Sequence, residues 1–416
     1  MKQFLFFLTI LTSLSGFSQQ SISLEKCYLL VTENFPLAKQ KQLLEAQNKL
    51  DLEVISTLKL PQINLAAQAN YQSEVIEIPI ANANLESLNK DQYRATLSVN
   101  QFIYNGGITN ASLKVKAAQL KTKQKQIEVS LHQLKQQINQ LYFSILLSQE
   151  SNLLLNAKKI QLEAKLKEVT SGIKYGLILP ASDKILEAEL LKIRQQFYAL
   201  ESNKQTLIET LSSLINKPLN PSTLFKNPLI ETQFQTALTR PELALFQLKK
   251  EEIENSENLI SKQNAPKLLG FATGGYGNPG LNMLDNSFQP FYTLGVQLKW
   301  NVFDWNSNKK QRKSIAIHKD IVDNETEIFK LNTKIELNKE QKNIDRMTTI
   351  IASDTEIINL RQEVLKMADS QLKNGVITSS AYITELTNLY EDENTLIQHK
   401  IELQLAKANY NIIKGH

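Results

Sequence analysis

One long stretch of this chain is written twice, with a single change of phase. Pro36, Pro61 and Tyr71 recur as Pro241, Pro266 and Tyr276, each displaced by 205 residues. Farther on, Val99-Asn100-Gln101-Phe102-Ile103-Tyr104-Asn105 aligns with Leu298-Lys299-Trp300-Asn301-Val302-Phe303-Asp304 at a displacement of 199. That displacement still holds for Lys174-Tyr175-Gly176-Leu177-Ile178 against Lys373-Asn374-Gly375-Val376-Ile377. The residues lost fall between Tyr71 and Val99, so one loop is shorter in the second copy. A duplication of this length predicts two similar halves. The first repeat covers 19–215 and the second 241–416. Residues 216–240, with Pro218, Pro221 and Pro228, read as a linker.

Within each half the breakers are sparse. Neither Gly nor Pro occurs between Gly107 and Gly172, nor between Gly295 and Gly375. A helix from Thr109 to Lys174 would be roughly 100 Å long. Ile127, Leu131, Leu134, Ile138, Leu141 and Ile145 alternate in steps of four and three, a coiled-coil seam. The seam is expected to break around Ser148 to Asn152, where the packing partner changes. Helices this long need neighbours to bury that stripe.

Four short segments have period two instead: 62–73, 92–103, 267–277 and 291–302. In the first, Ile63, Leu65, Ala67, Ala69 and Tyr71 alternate with Gln62, Asn64, Gln68 and Asn70. The third alternates poorly and carries Gly270, Gly274 and Gly275. About ten alternating residues with aromatic ends fit a transmembrane strand. Tyr71, Tyr93, Tyr276, Tyr292 and Trp300 are the candidate interfacial aromatics. The connecting segments, Gln72 to Asp91 with Pro79 and Gly277 to Pro290 with Pro279, are polar and read as outer loops. Four strands cannot close a membrane barrel, and lipid does not tolerate open edges, so several chains are required.

The first residues read as an address. Lys2, the apolar run Phe4 to Leu14 and Gly16-Phe17-Ser18 make residues 1–18 a secretory signal peptide. No later run of about 18 apolar residues predicts a transmembrane helix. The single cysteine, Cys27, excludes an intrachain disulfide and reads as a small buried thiol. The net charge is +5, but Lys and Glu are interleaved along the helices, which excludes a nucleic-acid surface. His132, His318, His399 and His416 have no metal-ligand spacing. Without a phosphate loop or a nucleophile elbow, no cofactor and no enzymatic activity are expected.

On these residues the chain resembles the TolC-like outer-membrane efflux proteins (outer membrane factors). The resemblance rests on the signal peptide and on the helix ending at Leu60-Pro61-Gln62-Ile63. It rests equally on the strand closing at Gln101-Phe102-Ile103-Tyr104-Asn105-Gly106-Gly107, and on the Gly176 and Gly375 turns. It covers essentially the whole mature chain. It implies a mainly α protein with a β membrane part: duplicated helical hairpins forming a periplasmic tunnel, and four strands per chain completing a 12-stranded barrel in a homotrimer. Pro61, Gly106, Gly107, Pro266 and Asp304 would mark the junction of barrel and helices. The implied function is a passive exit duct for a tripartite efflux or type I secretion system in the outer membrane of a Gram-negative bacterium. Its partners would be a periplasmic adaptor, an inner-membrane RND, ABC or MFS pump, and outer-membrane lipid.

Gly176 and Gly375 are expected in the left-handed conformation that ends a helix, with Pro180 in the first turn of the next one. The family places its closed tip and its adaptor-docking surface at these turns. Its tip often carries a Tyr three residues before the Gly and an Arg just after; this chain has Ile173 and Leu372, then Ile178 and Ile377. The remaining candidates for a constriction are Asp183, Glu187, Thr384 and Glu385. Asp183 and Glu385 read equally as solvated acids in the first turns of helices, where the dipole favours them. Two other readings are open: an exported periplasmic coiled-coil scaffold, which leaves the strands unused, and an adaptor, which would carry one hairpin instead of two.

Overall fold

The computed structural model describes residues 21–76, 87–232 and 234–416. The signal segment 1–18 and Pro79 lie outside the described residues. In chain order the elements are β1 (Ser21–Ile22), α1 (Leu24–Asn34), α2 (Pro36–Ser56), β2 (Gln62–Tyr71), β3 (Asp91–Tyr104), α3 (Ile108–Lys174) and α4 (Ser182–Leu214). There follow β4 (Leu224–Phe225), α5 (Pro241–Lys262), β5 (Lys267–Asn278), β6 (Gln289–Lys299), α6 (Ser307–Lys373) and α7 (Ser379–Lys414). The long helices α3 and α6 have 67 residues each. α3 starts just after the last breaker, Gly107, whereas α6 starts at Ser307, twelve residues beyond Gly295. Strands β5 and β6 reach into what reads as loop, to Asn278 and from Gln289, while Trp300 falls just beyond β6.

The chain divides into two compact units, each drawing on both repeats. Among the described residues, one comprises Gln40–Gln126 and Glu242–Ile328; the other comprises Ser21–Lys39, Ile127–Pro241 and Phe329–His416. The first holds a four-stranded antiparallel sheet in the order β2-β3-β5-β6. Its helical part is laced by ion pairs between α5 and α6: Lys249 with Glu325, Lys250 with Asp323, Glu254 with Lys319 and Glu257 with Arg312. These pairs are exposed, so each contributes little, and they align the helices more than they stabilise them.

Besides a small apolar core of Ile344, Ala406 and Tyr410, the second unit has two large ones. One gathers Ile22, Leu24, Cys27, Leu30 and Val31 with Ile138, Tyr142, Ile145, Ile208, Leu211, Phe225, Ile401 and Ala408. Segments near both chain ends and the linker thus pack against the middle of α3. The two-residue strands β1 and β4 pair in parallel at its edge. The Tyr142 hydroxyl lies 3.0 Å from the Ile22 carbonyl and 2.8 Å from the Lys226 carbonyl, and its one proton serves both. Tyr142→Phe keeps the ring and removes the hydroxyl donor from both carbonyls, leaving Ile22 with the Lys226 amide at 3.1 Å. A loss of about 1–3 kcal/mol is expected, read from the denaturation midpoint.

Cys27 is fully buried in this core. Burial, and secondarily the charge of Glu25, pushes its thiol up to about 12. Because the folded value lies above the unfolded one of about 8.5, the linked stability is full below that pH and declines above it. The folded protein should therefore resist iodoacetamide at pH 8 and be alkylated only on unfolding, as mass spectrometry would report.

The other core is a four-helix arrangement with a period of seven: Leu155, Leu162 and Val169 on α3, Leu186 and Ile193 on α4, Ile358, Leu365 and Leu372 on α6, and Tyr382 and Leu389 on α7. The α3 seam breaks where expected, with two successive steps of three from Ile145 through Ser148 to Ser151, and beyond the break it is regular rather than irregular. Ser148, Ser151, Leu155, Lys158, Leu162, Lys165 and Val169 are all buried, in strict steps of three and four. The stripe continues, but polar side chains occupy part of it. Each is satisfied: Ser151 bonds Asn394, Lys158 bonds Glu189 and Thr387, and Lys165 bonds Glu168 and Asp369. The core it joins does change, as the break suggested.

Candidate membrane sheet, junction and helical tip

The register sorts the sheet into two unlike faces. Ile63, Leu65 and Ala67 stand opposite Val99, Leu97 and Ala95; these in turn stand opposite Ala272, Gly274 and Tyr276. Leu294, Tyr292 and Pro290 complete the same face on β6. The other face pairs Gln62 with Asn100, Asn64 with Ser98, Gln68 with Arg94 and Asn70 with Gln92. Every residue of β2 is exposed, apolar ones included. An apolar face of this extent left bare is unusual for a surface bathed by water.

Glycine explains why β5 alternates poorly. Phe271 stands opposite Gly295 and Phe291 opposite Gly275, so each ring lies over a residue without a side chain. A Cβ on Gly275 would sit 2.4 Å from the Phe291 ring and 2.8 Å from the Ala95 carbonyl oxygen. The Arg94 guanidinium stacks 5.4 Å from the centre of the Phe291 ring. The phenylalanines on the polar face are thus flattened against the strands.

Four of the five singled-out aromatics form a staircase on the apolar face. Tyr71 is level with Asp91; Tyr93 is two residues on; Tyr276 is level with Ala95; Tyr292 faces Gly274, which faces Leu97. The step is two residues per strand. Tilted strands need such a stagger if aromatic side chains are to lie at one depth.

At the opposite end of the strands, Gly106 and Gly107 are left-handed, with φ of 72° and 80°. The counterparts Trp305 and Asn306 keep that conformation, with φ of 56° and 61°, although neither is glycine. Asp304 accepts from the Asn308 amide at 2.9 Å and from Asn264 at 2.5 Å, so it caps α6. These bonds, the Asn308 amide foremost, hold its carboxyl below the usual range. Pro61 and Pro266 immediately precede β2 and β5.

The two helical turns meet in one cleft of about 460 Å³, lined by Ile173, Gly176, Leu177, Pro180, Gly375 and Val376 among others. Gly176 and Gly375 both have φ of 69°. The Leu177 amide bonds the Gly172 carbonyl at 2.9 Å and the Val376 amide bonds Gln371 at 2.8 Å, closing each helix with the same glycine stop. The placement of Pro180 is corrected. It lies in a turn ahead of α4, in which the Ser182 amide bonds the Leu179 carbonyl and Ala181 takes φ 72°. Proline's fixed φ suits the second position of that turn, so the helix starts only at Ser182.

The four candidate constriction residues do not converge within the chain. Asp183 and Glu187 both face Lys184, Glu385 faces Arg361 at 3.5 Å, and the Thr384 hydroxyl bonds the Ser380 carbonyl. The structure brings together a different set. Lys165 and Glu168 of α3 interlock with Asp369 and Lys373 of α6: Lys373 is 2.9 Å from Asp369 and 3.8 Å from Glu168. Lys165 also lies 5.2 Å from the centre of the Tyr382 ring. Burial opposes the charge on Lys165, but Asp369 and Glu168 outweigh it and raise its pKa. Asp369, which burial would raise, is held below its ordinary value by Lys165 and Lys373. Sequence reasoning missed this network. The signal available was the seven-residue spacing of Lys158 and Lys165 in phase with the buried stripe.

Comparison with known proteins follows the same lines. Residues 32–217 match the family model described as outer membrane efflux protein. The search of curated proteins found no match. Among solved structures, the outer membrane protein VceC from Vibrio cholerae is 13% identical, with a TM-score of 0.67 over 94% of this chain and 96% of that one. The Campylobacter jejuni CmeC outer membrane channel is 14% identical, with a TM-score of 0.66 over 94% of this chain and 84% of that one. The open state of the Neisseria gonorrhoeae MtrE outer membrane channel is 13% identical, with a TM-score of 0.66 over 94% and 89%. Identities this low speak for the fold. With that fold over 94% of its length and the family's signature over residues 32–217, the chain's resemblance to the TolC-like outer-membrane efflux proteins is borne out.

Proposed function

We propose that this protein is the exit duct of a tripartite efflux or type I secretion system in a Gram-negative outer membrane, and that it works as a homotrimer. The observation that carries this reading is the sheet β2-β3-β5-β6. It has one apolar and one polar face, and among the described residues its outer strands β2 and β6 pair on one side only. In lipid such edges must be closed. Three copies joined edge to edge give a barrel of twelve strands, with Leu65, Leu97 and Leu294 towards acyl chains and Gln68, Arg94 and Thr96 towards water. Each repeat supplies one helix, two strands and one hairpin, and residues 216–240 bind into the core around the middle of α3. The chain performs no chemistry; it conducts passively what a pump and a periplasmic adaptor deliver. The Gly176 and Gly375 turns form the periplasmic tip on which the adaptor docks, and the tip constricts the passage.

The test is extraction of the native protein from envelopes, followed by mass measurement and planar-bilayer recording. Release by detergent alone, as a trimer that conducts, supports the duct. A protein recovered in the soluble periplasmic fraction as a non-conducting species overturns it.

A further inference from the structure

The two repeats keep the same left-handed turn after their second strand and clothe it in opposite ways. In the first, Gly106 and Gly107 lead into Thr109 and Ala111, which are buried. In the second, Phe303 and Trp305 are 67% and 79% exposed, with ring centres 4.8 Å apart. A bulky side chain in this conformation is strained. Among the described residues the indole's one ring contact is with Phe303, itself largely exposed, so the pair is left facing outward.

A second departure adjoins it. Asn110, Ala111 and Leu113 of the first repeat correspond to Lys309, Lys310 and Arg312 of the second, followed by Lys313. Arg312 is engaged by Glu257. Among the described residues no acid pairs with Lys309, Lys310 or Lys313, and all three are exposed. Cations in the first turns of a helix also oppose its dipole. Two locally unfavourable choices, the aromatics within seven residues of Leu298 and the lysines eleven to fifteen residues past it, call for something outside the chain that favours both.

We propose that Phe303, Trp305 and the lysines at the start of α6 seat in the headgroup layer of an anionic phospholipid leaflet and fix the depth of the barrel's periplasmic mouth. An indole favours the boundary between acyl chains and water, and lysines beside it favour lipid phosphates. A partner protein would account for the lysines, but not for their continuity with the lipid-facing surface. The inference rests on the reading of the sheet as a membrane barrel.

Because Trp300 and Trp305 are the chain's two tryptophans, each can be observed alone. Trimers of Trp300→Phe and of Trp305→Phe are reconstituted into phosphatidylcholine vesicles, with and without phosphatidylglycerol, carrying bromine on the acyl chains near the headgroup. In Trp300→Phe the remaining Trp305 should emit to the blue of its position in water. Bromine should quench it, more strongly in the anionic vesicles. Lys309→Glu with Lys310→Glu and Lys313→Glu should abolish the anionic preference while the trimer persists. If Trp300 is quenched by bromine but Trp305 emits as in water and yields to iodide, the inference is overturned and the barrel stands. Equal quenching of Trp305 in both vesicle types overturns the role of the lysines. If neither tryptophan meets bromine, the barrel reading itself fails.

Discussion

Gly106→Val should cost roughly 3 kcal/mol and largely prevent assembly, from the left-handed penalty and overpacking together. The backbone φ is 72°, a conformation a β-branched residue adopts only under strain. A Cβ there would also stand 2.7 Å from the Ala265 Cβ and 3.4 Å from the Lys262 carbonyl oxygen. Ala265 lies between α5 and β5, so it cannot retreat without disturbing a helix end and a strand start. The same turn in the second repeat provides the internal control. Trp305→Gly removes a side chain from a strained position and should stabilise the fold by about 1 kcal/mol. Denaturation midpoints of the two variants in detergent, away from the leaflet proposed to hold the indole, should therefore move in opposite directions. A Gly106→Val trimer of normal yield and stability would show that the turn can be reshaped.

Asp369→Lys should produce the largest functional change. It places a third cation beside Lys165 and Lys373 and leaves Glu168 as the one acid in the network. Asp369→Asn, which removes only the charge, should cost about 2 kcal/mol, the lower side of the range for a buried pair because Asp369 is partly exposed. If this network holds α3 to α6 just above the tip, both variants should raise single-channel conductance, Asp369→Lys the more. The sign with pH follows from the directions already given. Asp369 is depressed, so its contribution is full above the unfolded value of about 3.9 and lost as pH falls below it. Lys165 and Lys373 are raised, so theirs is present below about 10.4 and lost as pH climbs beyond it. Closed-state leak should be flat between roughly pH 5 and 10 and grow on either side. Leak unchanged in Asp369→Lys would remove the network from the gate.

The sequence made some of this legible and hid the rest for identifiable reasons. The helix expected from Thr109 to Lys174 is found from Ile108 to Lys174, because turns rich in glycine bound a stretch without breakers. Strands β2, β3 and β6 declare themselves by alternation. Strand β5 does not, because Gly275, under the Phe291 ring, and Gly277, where a Cβ would stand 2.6 Å from the Tyr93 carbonyl oxygen, serve close contacts across the sheet rather than any pattern along the chain. Pro180 was a reasonable helix starter by local preference, yet the turn ahead of α4 uses proline's fixed φ first. The tip network was hidden for a different reason. Lys165 and Asp369 are 204 residues apart, and a lysine in a long helix ordinarily faces water. Asp183 and Glu385 lie near the turns in sequence, but their partners, Lys184 and Arg361, sit on their own or an adjoining helix.

The interlocked charges also bear on how the two halves of the chain relate. At the displacement of 199, Lys165 corresponds to Val364, Glu168 to Met367 and Asp369 to Thr170; Lys373, matched by Lys174, is alone in having a like counterpart. The network therefore arose, or survived, in only one combination of halves. A chain built from the first half twice would set Lys165 against a threonine, and one built from the second half twice would set Asp369 against a valine. Divergence has made the halves complementary, so neither can stand in for the other. In the trimer proposed above, the two kinds of half would therefore alternate around the ring.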